Sequence, residues 1–223
     1  MKKLLSMLLL FVATFNLVTA QKKQNAVYDI DGNVYSTVTI GSQTWMKENL
    51  AVTRYNDGTP IPLELDNTGH GSGEDEQPSY CWYNNDIKNK KNYGALYNWY
   101  TVNSGKLCPK GWHVPNNEEW KTLIDYLGGE REAGGKLKAK GTKYWASPNS
   151  NATNSSNFTA LPSGAREFGT PLFVKMNYSA YFWSSSSGGV WEGCYYYLFH
   201  DWEGMNMSIY TKTADFSVRC IKD

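Results

Sequence analysis

The chain has 223 residues, with 22 Lys and Arg against 21 Asp and Glu, 41% apolar residues and a high 15% of aromatic ones. That length suits one domain of about 200 residues or two small ones, and the ring content excludes a disordered chain. A charge this close to balance gives no electrostatic reason to expect nucleic acid or an anionic membrane surface as partner.

Residues 1–20 read as a secretory signal. Lys2 and Lys3 form the basic start, residues 4–15 the apolar stretch, and Val18 and Ala20 the small residues before cleavage. The apolar stretch is shorter than the roughly 20 residues of a membrane span, and no later run is long enough to cross a bilayer. No stable span is therefore expected after cleavage. The expected location is secreted, extracellular or cell-surface, with the periplasm as the other exported compartment. Cleavage leaves 20 basic against 21 acidic side chains, a net charge of −1. Residues 21–26 are expected to be a flexible mature terminus and residues 27–223 one domain. All four cysteines, Cys81, Cys108, Cys194 and Cys220, fall in the exported part, where an even count predicts two disulfides. Zinc would need close pairs such as C-x-x-C, which are absent. Three connectivities are open to four cysteines, and spacing alone does not choose among them.

Residues 27–46 predict β structure, with a hairpin turn at Asp31-Gly32 and a two-residue turn at Gly41-Ser42. Asp29, Asp31 and Asn33 invite comparison with a calcium loop. The pattern fails, because Gly32 stands at the fourth loop position and Ile40 where the bidentate Glu belongs. Residues 47–79 carry turn signals and an acidic, Gly-rich tract. No cofactor is expected. Glu74, Asp75 and Glu76 offer ligand types for a structural calcium ion, without a motif to fix one.

Leu96, Trp99 and Tyr100 stand at helical spacing and predict a short helix over 93–102, stopped by Asn103-Ser104-Gly105. After Pro109 and Gly111 turn the chain, Trp112-His113-Val114 is a short buried segment ended by Pro115. Asn116 and Glu119 form a capping box, Trp120, Leu123, Ile124 and Leu127 face a core, and Gly128-Gly129 ends the helix. Residues 130–140 hold a further short helix weakened by Gly134-Gly135, and residues 143–158 a Ser/Asn-rich loop. Strands are predicted at 159–161, 178–184, 195–199, 207–211 and 217–221.

Catalytic patterns are missing. His70, His113 and His200 are far apart in sequence, and His113 between Trp112 and Val114 reads as structural. On a strand, His200 and Asp201 would point to opposite faces. The run 184–187 is no G-x-S-x-G elbow, and neither a phosphate loop nor H-E-x-x-H occurs. The sequons at Asn151, Asn154, Asn157, Asn177 and Asn206 fall in Ser/Asn-rich loops that generate them by chance. The remaining signal is aromatic: Trp183, Trp191, Tyr195, Tyr196, Tyr197 and Trp202. Three consecutive tyrosines on a strand cannot all point inward, and exposed rings beside polar groups suit a sugar ring or a protein partner.

A set of motifs spans nearly the whole exported part. It comprises Val38-x-Ile-Gly-x-Gln-Thr-Trp-Met-x-x-Asn-Leu50, Tyr93-Gly-x-Leu-Tyr-Asn-Trp99, Cys108-Pro-x-Gly-Trp-His-Val-Pro115 with Glu119-Trp120, and Gly134-Gly-x-Leu-Lys138. Phe158-x-Ala-Leu-Pro-x-Gly-x-Arg166, Phe182-Trp-Ser-Ser185 and Ser217-Val-Arg-Cys220 complete it. The set resembles the Fibrobacter succinogenes major paralogous domain, found in exported and surface proteins of Fibrobacter and Bacteroidetes. That family is similar in turn to the C-type lectin fold of the formylglycine-generating enzyme group. The resemblance implies an α+β, C-type-lectin-like fold, with short helices on twisted antiparallel strands and two disulfides. It also implies that Cys108 pairs with Cys220, and hence Cys81 with Cys194. The catalytic group's closely spaced cysteine pair is missing here, as are the Glu-Pro-Asn and Gln-Pro-Asp tripeptides of calcium-dependent sugar binding. The expected function is a non-catalytic binding module for an extracellular glycan or protein, with Trp183, Trp191, Tyr195, Tyr197 and Trp202 as candidate contacts. The alternatives are an extracellular enzyme acting on polymers or protein side chains, and a structural component of a surface assembly.

Overall fold

A computed structural model describes residues 26–65, 77–167 and 172–223. The signal segment, His70 and the acidic Glu74–Glu76 tract lie outside these. Strands β1 (Ala26–Tyr28), β2 (Val34–Ile40) and β3 (Gln43–Met46) form an antiparallel meander. Pairing of Ile40 with Gln43 leaves the expected two-residue turn at Gly41-Ser42. The first turn is longer than a two-residue hairpin, because Tyr28 pairs with Val34. Asp29 closes it: Oδ1 accepts the amides of Asp31 (3.0 Å) and Asn33 (2.9 Å), and Oδ2 accepts the Tyr35 hydroxyl (2.6 Å).

The helix expected over 93–102 is split. Helix α1 (Lys90–Tyr93) ends at Gly94, strand β5 (Leu96–Tyr97) pairs with β4 (Tyr80–Cys81), and α2 (Trp99–Val102) restarts with Asn98 accepting the Thr101 amide. Gly94 has φ 72°, and a Cβ there would lie 2.6 Å from the Leu50 carbonyl oxygen. The close approach to Leu50 breaks the helix. Strand β6 (Trp112–His113) leads to α3 (Asn117–Tyr126), where the capping box is complete and Trp120, Leu123 and Ile124 are buried. The glycines that weaken the next helix, α4 (Ala133–Leu137), serve packing. A Cβ on Gly134 would lie 2.0 Å from the Gly204 carbonyl oxygen, and one on Gly135 2.6 Å from that of Asn151.

After the short pair β7 (Ala165–Arg166) and β8 (Phe173–Val174), strands β9 (Ser179–Ser187), β10 (Glu192–Phe199) and β11 (Asn206–Thr211) form an antiparallel sheet in the order β11-β10-β9. The strand expected at 159–161 is reduced to a bridge between Ala160 and Lys138. That expected at 217–221 is regular only in β12 (Ile221–Lys222), which lies between β3 and β6 in a five-stranded sheet. The architecture is mixed helix and strand with mostly antiparallel pairing. Among the described residues no helix is long and apolar enough to cross a membrane.

Period-two alternation divides most of the interior into two large cores, beside a small third cluster at Cys81, Tyr83 and Leu96. Trp183, Met46 and Cys220 face one, with Tyr97, Trp99 and Phe216. Phe182, Trp45 and Ile221 face the other, with Trp120, Phe158 and Tyr196. Cys108 and Cys220 are joined, closing a separation of 112 residues. The second expected disulfide is not formed: Cys81 and Cys194 are buried free thiols. Cys81, on β4, packs with Tyr83 and Leu96, whereas Cys194 sits on β10 opposite Ile209, so different packing environments hold the two sulfurs.

One buried cation ties the loop at Ser150 to the end of β10 and the turn that follows it. Lys138 is fully buried, and its Nζ donates to the carbonyls of Ser150 (3.1 Å), Phe199 (2.9 Å) and Trp202 (2.7 Å). Replacing it by Met strands three acceptors in the interior. Lys138→Met is expected to lower the unfolding free energy in urea by about 2–4 kcal/mol. Peptide mapping without reduction is expected to give one Cys108–Cys220 peptide and two thiols that alkylate only on unfolding. Cys108→Ser with Cys220→Ser is expected to cost about 2–5 kcal/mol.

Candidate functional site

The tyrosine run on β10 divides as alternation requires. Tyr196 turns inward and stacks on Trp120 at 5.2 Å, while Tyr195 and Tyr197 share the opposite face with rings 5.8 Å apart. Phe199 continues that row, 5.0 Å beyond Tyr197. The neighbouring strands add Tyr181 at 6.0 Å and Tyr210 at 6.4 Å from Tyr195. The row starts in the first core, where Trp183 and Phe216 lie 4.4 Å apart, and runs out along β10 through half-buried rings. Burial raises the pKa of Tyr181, Tyr195 and Tyr210, so these phenols stay neutral at physiological pH.

The five candidate residues are not one cluster. Trp183 is fully buried, and its indole N–H donates to the Tyr97 carbonyl at 2.7 Å, which makes it core rather than contact surface. Trp191 stands 59% exposed in the β9–β10 turn. Trp202 lies beyond the other end of β10, a strand roughly 25 Å long at 3.3 Å per residue. Its ring is half-buried against Gly204, where a Cβ would come within 2.1 Å of it. Tyr195 and Tyr197 are brought together, and Tyr181, Phe199 and Tyr210 join them. Counting by twos from Tyr195 was enough to find Phe199; Tyr181 and Tyr210 required the strand pairing.

The β9–β10 turn is rigidly held. Lys212 Nζ donates to the carbonyls of Gly189 (2.9 Å) and Val190 (2.8 Å) and lies 4.6 Å over the Trp99 ring. Val190 is 75% exposed, and Ile209 packs against Gly188 at the turn. With Trp191 and Met207 these side chains make an apolar margin along β11, the edge strand.

The two described histidines, His113 and His200, are held in structural contacts. His113 Nε2 meets Glu119 Oε1 and its Nδ1 meets Asp223 Oδ1, both at 2.7 Å. Two carboxylate acceptors can be satisfied together only by the imidazolium. Partial burial opposes that charge, but the bonds to Asp223 and Glu119 outweigh it and raise the pKa. Sequence reading placed His113 as structural but gave it no partners; Glu119 is also the capping-box residue, so one carboxylate serves both. His200 Nδ1 donates to the Ser147 carbonyl at 3.0 Å, while Nε2 stays 3.9 Å from Asp201. Ser184 is buried, and its hydroxyl accepts the Ser186 amide. The serine run thus braces the start of the β9–β10 turn.

The raised His113 pKa fixes a pH dependence. The stabilisation is complete below the ordinary histidine value of about 6.5 and is lost as pH rises through the raised folded value. His113→Gln is therefore expected to show its largest loss of thermal stability near pH 5–6. The gap to the parent should close in the alkaline range, and a pH-independent gap would refute the imidazolium.

The family model described as the Fibrobacter succinogenes major domain matches residues 38–222. Comparison with curated proteins gave no match, and neither did comparison with solved structures.

Proposed function

From the premise that the chain belongs to the Fibrobacter succinogenes major domain family, we propose that it is an exported, non-catalytic binding module holding an extracellular glycan on the aromatic face of β9–β11. The observation that carries this reading is the row Tyr195, Tyr197 and Phe199, with successive rings 5.8 and 5.0 Å apart on the sheet face opposite Tyr196. Flat rings on one strand, fixed by a sheet already packed on a core, suit the C–H faces of successive sugars at little entropic cost. The C-type-lectin-like assignment of the fold belongs to the same proposal. Its support is the Cys108–Cys220 bridge, which ties the segment before α3 to the C-terminal segment as the family resemblance implies. An enzymatic role is less favoured, because His113 and His200 are both engaged in fixed hydrogen bonds.

A second reading, a protein partner, draws on the apolar margin of Val190, Trp191, Met207 and Ile209 beside an open strand edge. Edge strands of this kind accept a further strand.

Affinity electrophoresis against a panel of plant and bacterial polysaccharides tests the first reading. Tyr197→Ala and Phe199→Ala are each expected to weaken retention by roughly 3–10-fold, in line with about 0.5–1.5 kcal/mol per aromatic contact. Tyr126→Ala, on the exposed side of α3, is expected to have no effect. Retention unchanged in both β10 variants would sink the glycan reading. Capture of a protein that is lost in Ile209→Lys would favour the second.

A further inference from the structure

Two adjoining cavities share Glu48 and Asn49 as lining residues. The larger, about 590 Å³, runs between the start of β2 and the segment leading into α1, and is lined also by Val34, Ile87, Lys88, Lys90 and Lys91. The smaller, about 180 Å³, is lined by Lys47, Asn92, Thr159 and Arg219. Five cationic side chains thus face one furrow. The single carboxylate lining it, Glu48, is held by the Ser36 amide at 2.7 Å. Among the described residues, Lys47, Lys88, Lys90 and Lys91 make no ion pair; Lys90 lies over the Trp82 ring at 5.7 Å.

The back of the furrow carries a second, independent sign of a missing anion. Arg219 is 1% exposed, yet its guanidinium reaches only neutral acceptors, the Phe158 carbonyl and Asn49 Oδ1, each at 2.5 Å. Its Nε has no hydrogen-bond partner. Elsewhere in the same interior the buried Arg166 is matched by Asp215 at 2.7 Å and Glu64 at 3.2 Å. Its hydrogen bonds go only to dipoles, and the Glu48 carboxylate acts on it through space alone, so part of its field reaches the nearest opening, where low-dielectric walls focus it. That opening is the smaller cavity, which Arg219 itself lines.

We propose that this furrow binds an acidic saccharide through its carboxylate. The larger cavity has the volume of a small-ligand site. Val34 and Ile87, 54% and 57% exposed, offer apolar walls to a sugar ring, and the lysines supply mobile point charges for carboxylates along the chain. A carboxylate fits the smaller cavity against Lys47 and the charge of Arg219. The near-neutral chain as a whole argues against nucleic acid, for which a large basic surface would be needed. This site is separate from the aromatic face and does not rest on it.

Polygalacturonate, its fully methyl-esterified form and dextran sulfate are the probes, read by affinity electrophoresis and by backbone amide shifts in NMR. Polygalacturonate is expected to shift the amides of residues 47–49 and 87–92, while the ester, with the same backbone and no charge, is not. The combined Lys88→Ala, Lys90→Ala, Lys91→Ala variant is expected to lose at least tenfold in affinity. Asn92→Asp, which brings a carboxylate to the smaller cavity, is expected to weaken binding as well. A charge-matched control, Lys110→Ala, Lys140→Ala, Lys143→Ala, should stay within about twofold of the parent, as should Tyr197→Ala. Equal losses in the two triple variants, equal binding of the ester, or amide shifts confined to β10 would each overturn the proposal. Binding of dextran sulfate alone would also overturn it, since the charge recognised would then be a sulfate.

Discussion

The structure depends on how the segment from Phe216 to Lys222 is bonded, because nearly every residue of it reaches a different part of the chain. Phe216 exchanges backbone bonds with Tyr97, the Ser217 carbonyl accepts from the Trp183 amide, that of Val218 from Leu50, and that of Cys220 from Met46. Side chains repeat the pattern. Ser217 meets Ser163 and Asn49, Arg219 reaches Phe158 and Asn49, and Cys220 is bridged to Cys108. Ile221 then pairs with both Trp45 and His113. A segment bonded on all sides cannot belong to one regular ladder, which explains why most of it is irregular despite a β-like sequence. It also carries the division between the cores, with Cys220 facing one and Ile221 the other. The disulfide acts where closure entropy is largest, across 112 residues.

The same alternation that separates the cores decides which rings are free for recognition. On β9 the middle of both faces is occupied, Phe182 by one core and Trp183 by the other, so only half-buried Tyr181 adds to the ligand face. On β10 only the Tyr196 face is fully covered. The opposite face leaves the core at Tyr195 and continues through Tyr197 and Phe199. A contact surface built this way inherits the rigidity of the core it grows from, because its first ring is anchored at 6.2 Å to buried Trp183 and at 4.9 Å to Phe216. Trp191 differs, being carried by a turn that Lys212 pins through two carbonyls.

What could be read from the sequence was what local chemistry dictates. The capping box at Asn116, the Gly41-Ser42 turn and the glycine stop after α3 each need only a few neighbouring residues, and each is present. The helix over 93–102 misled because residues 93–99 are buried throughout. Apolar spacing carries helical information only where another face is polar, and here Gly94 and Asn98 outvoted it. Trp183 was misjudged as a contact for a related reason: strand parity predicts opposite faces but not that both are covered. The Cys108–Cys220 pairing came from family resemblance and is present. The pairing of the remaining two cysteines followed by elimination, and elimination has no geometry in it. The furrow lysines were silent, since a run such as Lys88-Asn-Lys-Lys91 reads as a solvated surface until β2 is laid opposite it.

Three buried cations show how differently this interior compensates charge. Arg166 has carboxylates, and although burial works against it, Asp215 keeps its pKa raised. Lys138 has three carbonyls, and burial draws it down to about 8. Arg219 has two neutral acceptors and the faces of Phe158 and Phe182, and burial draws it down to about 9 against the opposing, through-space pull of the Glu48 carboxylate. It still carries its charge at neutral pH, so the interior holds a cation that dipoles, ring faces and the through-space Glu48 carboxylate only partly offset. Any anion reaching the adjoining cavity would relieve that imbalance in the folded chain and not in the unfolded one. Occupancy must therefore stabilise the fold by the linkage between binding and folding. The same residue ties Phe158 and Asn49 to the C-terminal segment, so the charge that would hold a ligand also holds the junction on which both cores rest.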